Sequence, residues 1–144
     1  MMGPIRKNSL LTGLAVIAVM AASPVFAETL KFKANLQGSS EVPPSDSAGK
    51  GTANITFDTD TKKLKWSVTS SGLTGQATAA HFHGPAAVSE NAGPVVDISK
   101  AIASGSAEIT DKHLADLQAG KWYLNIHTEK FPDGEIRGQV EKAQ

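Results

Sequence analysis

From Leu30 onward, apolar and polar residues alternate with a period of two along most of the chain, and a sustained 3.6-residue period is nearly absent. Leu30, Phe32, Ala34 and Leu36 alternate with Lys31, Lys33 and Asn35. Successive side chains of an extended chain point to opposite sides, so this run predicts a strand with one buried and one wet face. Ala53, Ile55 and Phe57 repeat the pattern. After the turn-forming Asp58-Thr59-Asp60-Thr61, Leu64, Trp66 and Val68 alternate with Lys63, Lys65 and Ser67, which predicts a hairpin. Further strands are predicted over Thr78–His83, Val95–Ile98, Ser106–Ile109, Lys121–Thr128 and Glu135–Glu141, separated by Gly, Pro, Ser and Asp clusters. Seven or eight short strands suit an all-β sandwich or barrel. One helical segment is expected at Thr110–Gln118, with Thr110 as N-cap, Leu114 and Leu117 on one side and Gly120 as its stop. Gln37–Lys50, rich in Ser, Pro and Gly, reads as a long surface loop or crossover.

The first 27 residues break the alternation. Arg6 and Lys7 precede an apolar stretch from Leu10 to Ala22, and small residues end it at Val25-Phe26-Ala27. That composition predicts a cleaved secretory signal with Glu28 as the new N-terminus, hence a periplasmic or secreted protein. The apolar stretch falls short of the ~20 residues a spanning helix needs, and no other segment is a candidate, so no membrane span is expected after cleavage. Residues 28–144 then form one domain. With no cysteine, neither disulfides nor thiolate metal sites are available, and any metal must sit on His, Asp or Glu. Removing Arg6 and Lys7 from the 14 basic residues leaves 12 against 14 acidic ones, a formal charge of −2. With no basic cluster on a predicted face, nucleic acid is not an expected partner.

The chemistry centres on histidine. His81 and His83 flank Phe82, so the pleat sends both imidazoles to one face while Ala80 and Phe82 point to the other. In the later strand Trp122, Leu124 and Ile126 share one face, and Tyr123, Asn125 and His127 the other. In the last strand Ile136 and Val140 alternate with Glu135, Arg137 and Gln139, and the tight Phe131-Pro132-Asp133-Gly134 link predicts pairing with the strand of His127. If the His81–His83 strand joins that sheet, three imidazoles, Arg137 and Glu135 converge on its outer surface. Three neutral imidazole nitrogens bind a borderline divalent ion at ~2.0–2.1 Å and leave a coordination position open. An all-nitrogen donor set favours copper, with zinc second. Asn125, Tyr123 and Glu135 would support the ligands from behind. Exposed histidines on a strand are equally compatible with plain solvation. His113, in the helical turn, reads as an exposed residue, and Trp66 and Trp122 as core.

Four segments resemble the successive signatures of the CHRD domain, found in chordin and in exported bacterial proteins: Leu36–Pro44, His81–Pro85, Gly120–Thr128 and Pro132–Val140. The resemblance spans roughly Leu30 to Glu141. It implies a Greek-key β-sandwich of immunoglobulin-like or copper-zinc superoxide-dismutase-like character. It also places the family's histidine positions on His81, His83 and His127, and its terminal Gly-Glu-x-Arg-Gly motif on Gly134, Glu135, Arg137 and Gly138.

Two classes of function follow. In the first, His81, His83 and His127 hold a copper ion, for carriage, for storage or for redox chemistry in which Arg137 guides superoxide, by analogy of fold and ligand type with the dismutases. In the second, the same polar face is a non-catalytic module that binds a protein or glycan.

Overall fold

In the computed structural model, which describes residues 2–4 and 13–144, nine strands and one helix follow one another as β1 (Thr29–Gln37), β2 (Lys50–Asp58), β3 (Lys63–Ser71), β4 (Ala77–His83), β5 (Pro94–Asp97), β6 (Ser104–Glu108), α1 (Asp111–Gln118), β7 (Tyr123–Thr128), β8 (Ile136–Gln139) and β9 (Glu141–Lys142). All pairings are antiparallel, and the strands lie in the order β5-β4-β7-β8-β1-β2-β3-β6, with β9 beside β1. The expected hairpin is β2–β3, with Asp58 opposite Lys63 and Ile55 opposite Trp66. The β3–β4 and β6–β7 connections cross between the two halves, which gives the sandwich its Greek-key character.

β5 and β6 are successive in the chain yet lie at opposite ends of the strand order. The link between them closes the gap. The Ile98 amide donates to Ala80 O (3.0 Å), while Ala101 O accepts from Trp66 Nε1 (2.8 Å) and Ala103 O from the Val68 amide (2.9 Å). The sheet therefore curls almost closed around one core. Phe82 is fully buried between Trp66 (6.1 Å, edge-on) and Trp122 (5.8 Å), so both indoles pack in the interior as their phase predicted.

Three expectations change. The Glu135–Glu141 run is two strands, because β8 pairs with β7 along its length and meets β1 at Gln37–Arg137, whereas β9 pairs with β1 at Phe32 and Lys33. The switch brings Gly138 against the β1 backbone, and a side chain there would collide with Asn35 O, so the crossing requires glycine. Gln37–Lys50 is no mere surface loop: after a 3-10 turn at Gly38–Ser40 it lies across β8, and Ser45 Oγ donates to Glu135 O (2.6 Å). His113 is half-buried against the edge of Trp122 (6.0 Å), because α1 lays Leu117 and its neighbours on the sheet. The helix itself starts as predicted, with Thr110 Oγ1 accepting from the His113 amide (3.2 Å).

Lys31 and Lys33 of β1 and Lys63 and Lys65 of β3 flank β2 on one exposed polar face, a grouping that strand-by-strand reading did not anticipate. Asp58 and Glu108 sit at one end of it. Residues 2–4 and 13–27 form no helix or strand, and Val16, Val19 and Phe26 are exposed. Arg6, Lys7 and the start of the apolar stretch lie outside the described residues. Among the described residues no helix is long and apolar enough to cross a membrane.

Candidate metal centre

The register between β4 and β7 builds the site. Ala79 lies opposite His127 and His81 opposite Asn125, so all three histidines fall on the same side of adjacent strands. Phe82 and Ala80 anchor the other side in the core. One ring nitrogen from each of His81, His83 and His127 lies within 4.8 Å of the others, and this group could hold a metal ion. His81 Nδ1 and His127 Nε2 are 3.2 Å apart. Two tetrahedral ligands at ~2.0–2.1 Å from a common ion stand about 3.3 Å apart, which matches.

The outer nitrogens fix the tautomers. His83 Nδ1 donates to Ala92 O (2.8 Å) and His127 Nδ1 to Pro132 O (2.7 Å); a carbonyl only accepts, so these nitrogens carry the protons. When the rings are neutral, both Nε2 atoms present bare lone pairs to Asn125 Oδ1, at 2.9 Å from His83 and 3.1 Å from His127. His81 turns Nε2 toward the Asp97 carboxylate (3.7 Å) and Nδ1 inward. Burial, followed by the proximity of His127, lowers the pKa of His81, with Asp97 opposing. Burial lowers that of His83 against its bonds to Ala92 O and Asn125 Oδ1. The neutral form is therefore favoured at His81 and His83, and the Nε2 atoms of His83 and His127 meet at Asn125 Oδ1 with His81 Nδ1 beside them. A cation held among these nitrogens would offset the repulsion between their lone pairs.

The surroundings differ from the open surface that alternation predicted. Asn125, Tyr123 and Arg137 are buried, because the loops 38–49 and 84–93 cover the outer face of β7 and β8. Tyr123 stacks on His83 (4.6 Å, nearly parallel), and its hydroxyl donates to Ala92 O (3.1 Å). Asn125 and Tyr123 thus touch the imidazoles. Glu135 does not. Its carboxylate accepts from Ser47 Oγ (2.7 Å), Thr128 Oγ1 (2.6 Å) and the amide and hydroxyl of Thr74 (2.8 and 3.0 Å). Burial raises its pKa, yet these donors outweigh that and hold it below the usual value. Arg137 shares the face as expected but does not open to solvent: it lies over the Tyr123 ring (3.5 Å) and donates to Asn91 Oδ1 (3.0 Å) and Glu90 O (2.6 Å).

The acid that does reach this region is Glu41, 6% exposed, on the loop after β1. Burial pushes its pKa up to about 7, against the pull of Arg137 and of the Asn125 side chain. Gly134, at φ +129°, passes so close that a Cβ there would strike the Glu41 carboxylate, which is why the tight turn into β8 needs glycine. Sequence reading missed Glu41. Its one signal was an isolated acid within the Leu36–Pro44 segment, beside the Pro43-Pro44 pair that stiffens the loop.

Comparison with known proteins adds the family. The profile of the CHRD domain matches residues 32–140, nearly the whole folded part of the chain. No curated protein and no solved structure matches it.

Proposed function

This chain belongs to the CHRD-domain family, and from that membership and its imidazole geometry we propose that it is an exported domain holding one transition-metal ion, copper by preference, on His81, His83 and His127. The observation that carries the reading is the meeting of His83 Nε2, His127 Nε2 and Asn125 Oδ1 at 2.9–3.1 Å. Two backbone carbonyls hold the protons on the far nitrogens, so a cation satisfies what hydrogen bonding leaves repulsive. A three-nitrogen donor set ranks copper above zinc. His81, whose side chain is 23% exposed, leaves that flank accessible for exchange of the ion.

When bound, the ion would supply a redox couple at the mouth of the site. The chain's own residues favour holding it over turning over an anion, because the Arg137 guanidinium is tied to the Glu90 and Asn91 loop. Carriage or storage is therefore the better reading than superoxide dismutation. Export follows from the basic-apolar-small order of the first 27 residues.

The untagged protein, recovered from outside the cytoplasm, loaded with Cu(II) and dialysed, should retain about one equivalent of metal. Its spectrum should report nitrogen ligands, and its N-terminus should be Glu28. A His81→Ala/His127→Ala variant that retains the same amount would overturn the site, whereas an intact Met1 would overturn only the export.

A further inference from the structure

The three imidazoles are not held alike. His83 and His127 each donate a far-side Nδ1–H to a backbone carbonyl, Ala92 O at 2.8 Å and Pro132 O at 2.7 Å, which leaves Nε2 as the inward nitrogen of both rings. His81 is turned the other way. Its inward nitrogen is Nδ1, 3.2 Å from His127 Nε2, and its outward Nε2 faces the Asp97 carboxylate at 3.7 Å. Two neutral tautomers compete for this ring. With the proton on Nδ1, His81 donates to His127 Nε2 across a hydrogen-bond distance. With the proton on Nε2, two lone pairs oppose each other across the same 3.2 Å, and the carboxylate that would compensate lies beyond hydrogen-bond reach. Asp97 is also 69% exposed, so water screens its pull on the ring. The geometry of the metal-free chain therefore favours Nδ1–H at His81.

We propose that His81 is a tautomeric latch, whose proton passes from Nδ1 to Nε2 when the site takes an ion, and that Asp97 is the positioning residue that receives it. The inference rests on the three-histidine reading, because Nδ1 can offer a lone pair to an ion only once its proton has left. Solvent water carries the exchange: Nδ1 gives up one proton, Nε2 gains one, and the ring stays neutral with no net release. The bond lost to His127 is then replaced by a charge-assisted one to the carboxylate. Asp97 is placed for that role. The β4–β5 register sets it opposite His81. Its Oδ1 accepts from the Ser99 amide (2.9 Å) and hydroxyl (2.6 Å), and Ser99 Oγ in turn accepts from the Ala80 amide (3.2 Å), which ties the carboxylate to the strand of the ligand. A movement of about 0.8 Å at the ring or the exposed acid brings 3.7 Å to hydrogen-bond length. A carboxylate behind a ligating imidazole fixes its tautomer and raises its basicity, and losing it weakens metal binding by about 10–100-fold.

The test reads the nitrogen-15 shifts of the histidine rings in the labelled protein at about pH 8, where ordinary imidazoles are neutral. In the metal-free wild type, His81 should carry its proton on Nδ1. One equivalent of Zn(II), chosen because it is diamagnetic, should move that proton to Nε2 and leave those of His83 and His127 on Nδ1. Asp97→Asn keeps an oxygen for Ser99 but removes the charge. It should leave the metal-free tautomer unchanged and weaken Zn(II) binding about tenfold or more, measured by competition with a chelator. Glu129→Gln, which removes an exposed acid two residues from His127, should bind as the wild type does. A metal-free His81 already protonated on Nε2, zinc uptake without movement of its proton, or undiminished binding by Asp97→Asn would each overturn the latch alone. A wild type that takes up neither Zn(II) nor Cu(II) would overturn the three-histidine reading and the latch with it.

Discussion

At the scale of single residues, what decides the outer face is whether each buried polar group finds a partner. Glu41 does so incompletely. Its folded pKa is about 7 against 4.5 for the free side chain, so between those values the native state keeps a proton that the unfolded chain releases. Stability from this group is therefore present below pH 4.5 and lost as pH rises through 7. Glu41→Gln, which has no proton to lose, should raise stability above pH 7 by at most ~3.5 kcal/mol, judged at ~1.4 kcal/mol per pKa unit, and leave it unchanged near pH 4. Urea midpoints across that range check this; parallel pH profiles for the two proteins would refute it. Neither the burial of Glu41 nor the neutral acceptors around Arg137 could be read from alternation, which records only the side of a strand and not what loop covers it. The two-sided placement of His81, Phe82 and His83 was legible, because the pleat fixes it locally.

At the scale of elements, the hub is the Glu135 carboxylate at the start of β8. It gathers the loop before β2 through Ser47, the β3–β4 link through Thr74 and the end of β7 through Thr128. Alternation placed this residue beside the histidines; the turn at Gly134 instead delivers it to three separate segments. Glu135→Gln should cost about 3 kcal/mol, because amide hydrogens then face donors that lose their acceptor. Thermal unfolding measures that loss, and proteolysis should open the 38–49 segment before the rest of the domain. Uniform resistance to cleavage would show that the loop is held by something else. The lowered pKa of Glu135 adds stability that is complete above 4.5 and fades as pH falls through its folded value. The strands and α1 were predictable from their periodicity and from the Thr110 cap. The division of the last run into β8 and β9 was not, since it depends on which neighbour is in reach.

At the scale of the whole molecule, one core serves both halves of the curled sheet, and Phe82 sits where they meet. Phe82→Ala should destabilise the domain by about 3–5 kcal/mol and lower the single unfolding transition without splitting it. Two separate transitions in a calorimetric scan would mean that the halves fold independently. The same ring also sets the positions of its neighbours His81 and His83, so the metal retention proposed for this site should weaken in that variant before the fold is lost. The amino-acid sequence by itself determined the all-β class, the inward and outward faces of each strand, the helix cap and the candidate ligands, because those follow from steric and solvation rules acting over a few residues. Only the tertiary structure decided that β4 and β7 are neighbours in this register, that two loops roof the polar face, and that Glu41 rather than Glu135 lies beside Asn125. Those outcomes depend on contacts between residues far apart in the chain, which no local pattern encodes.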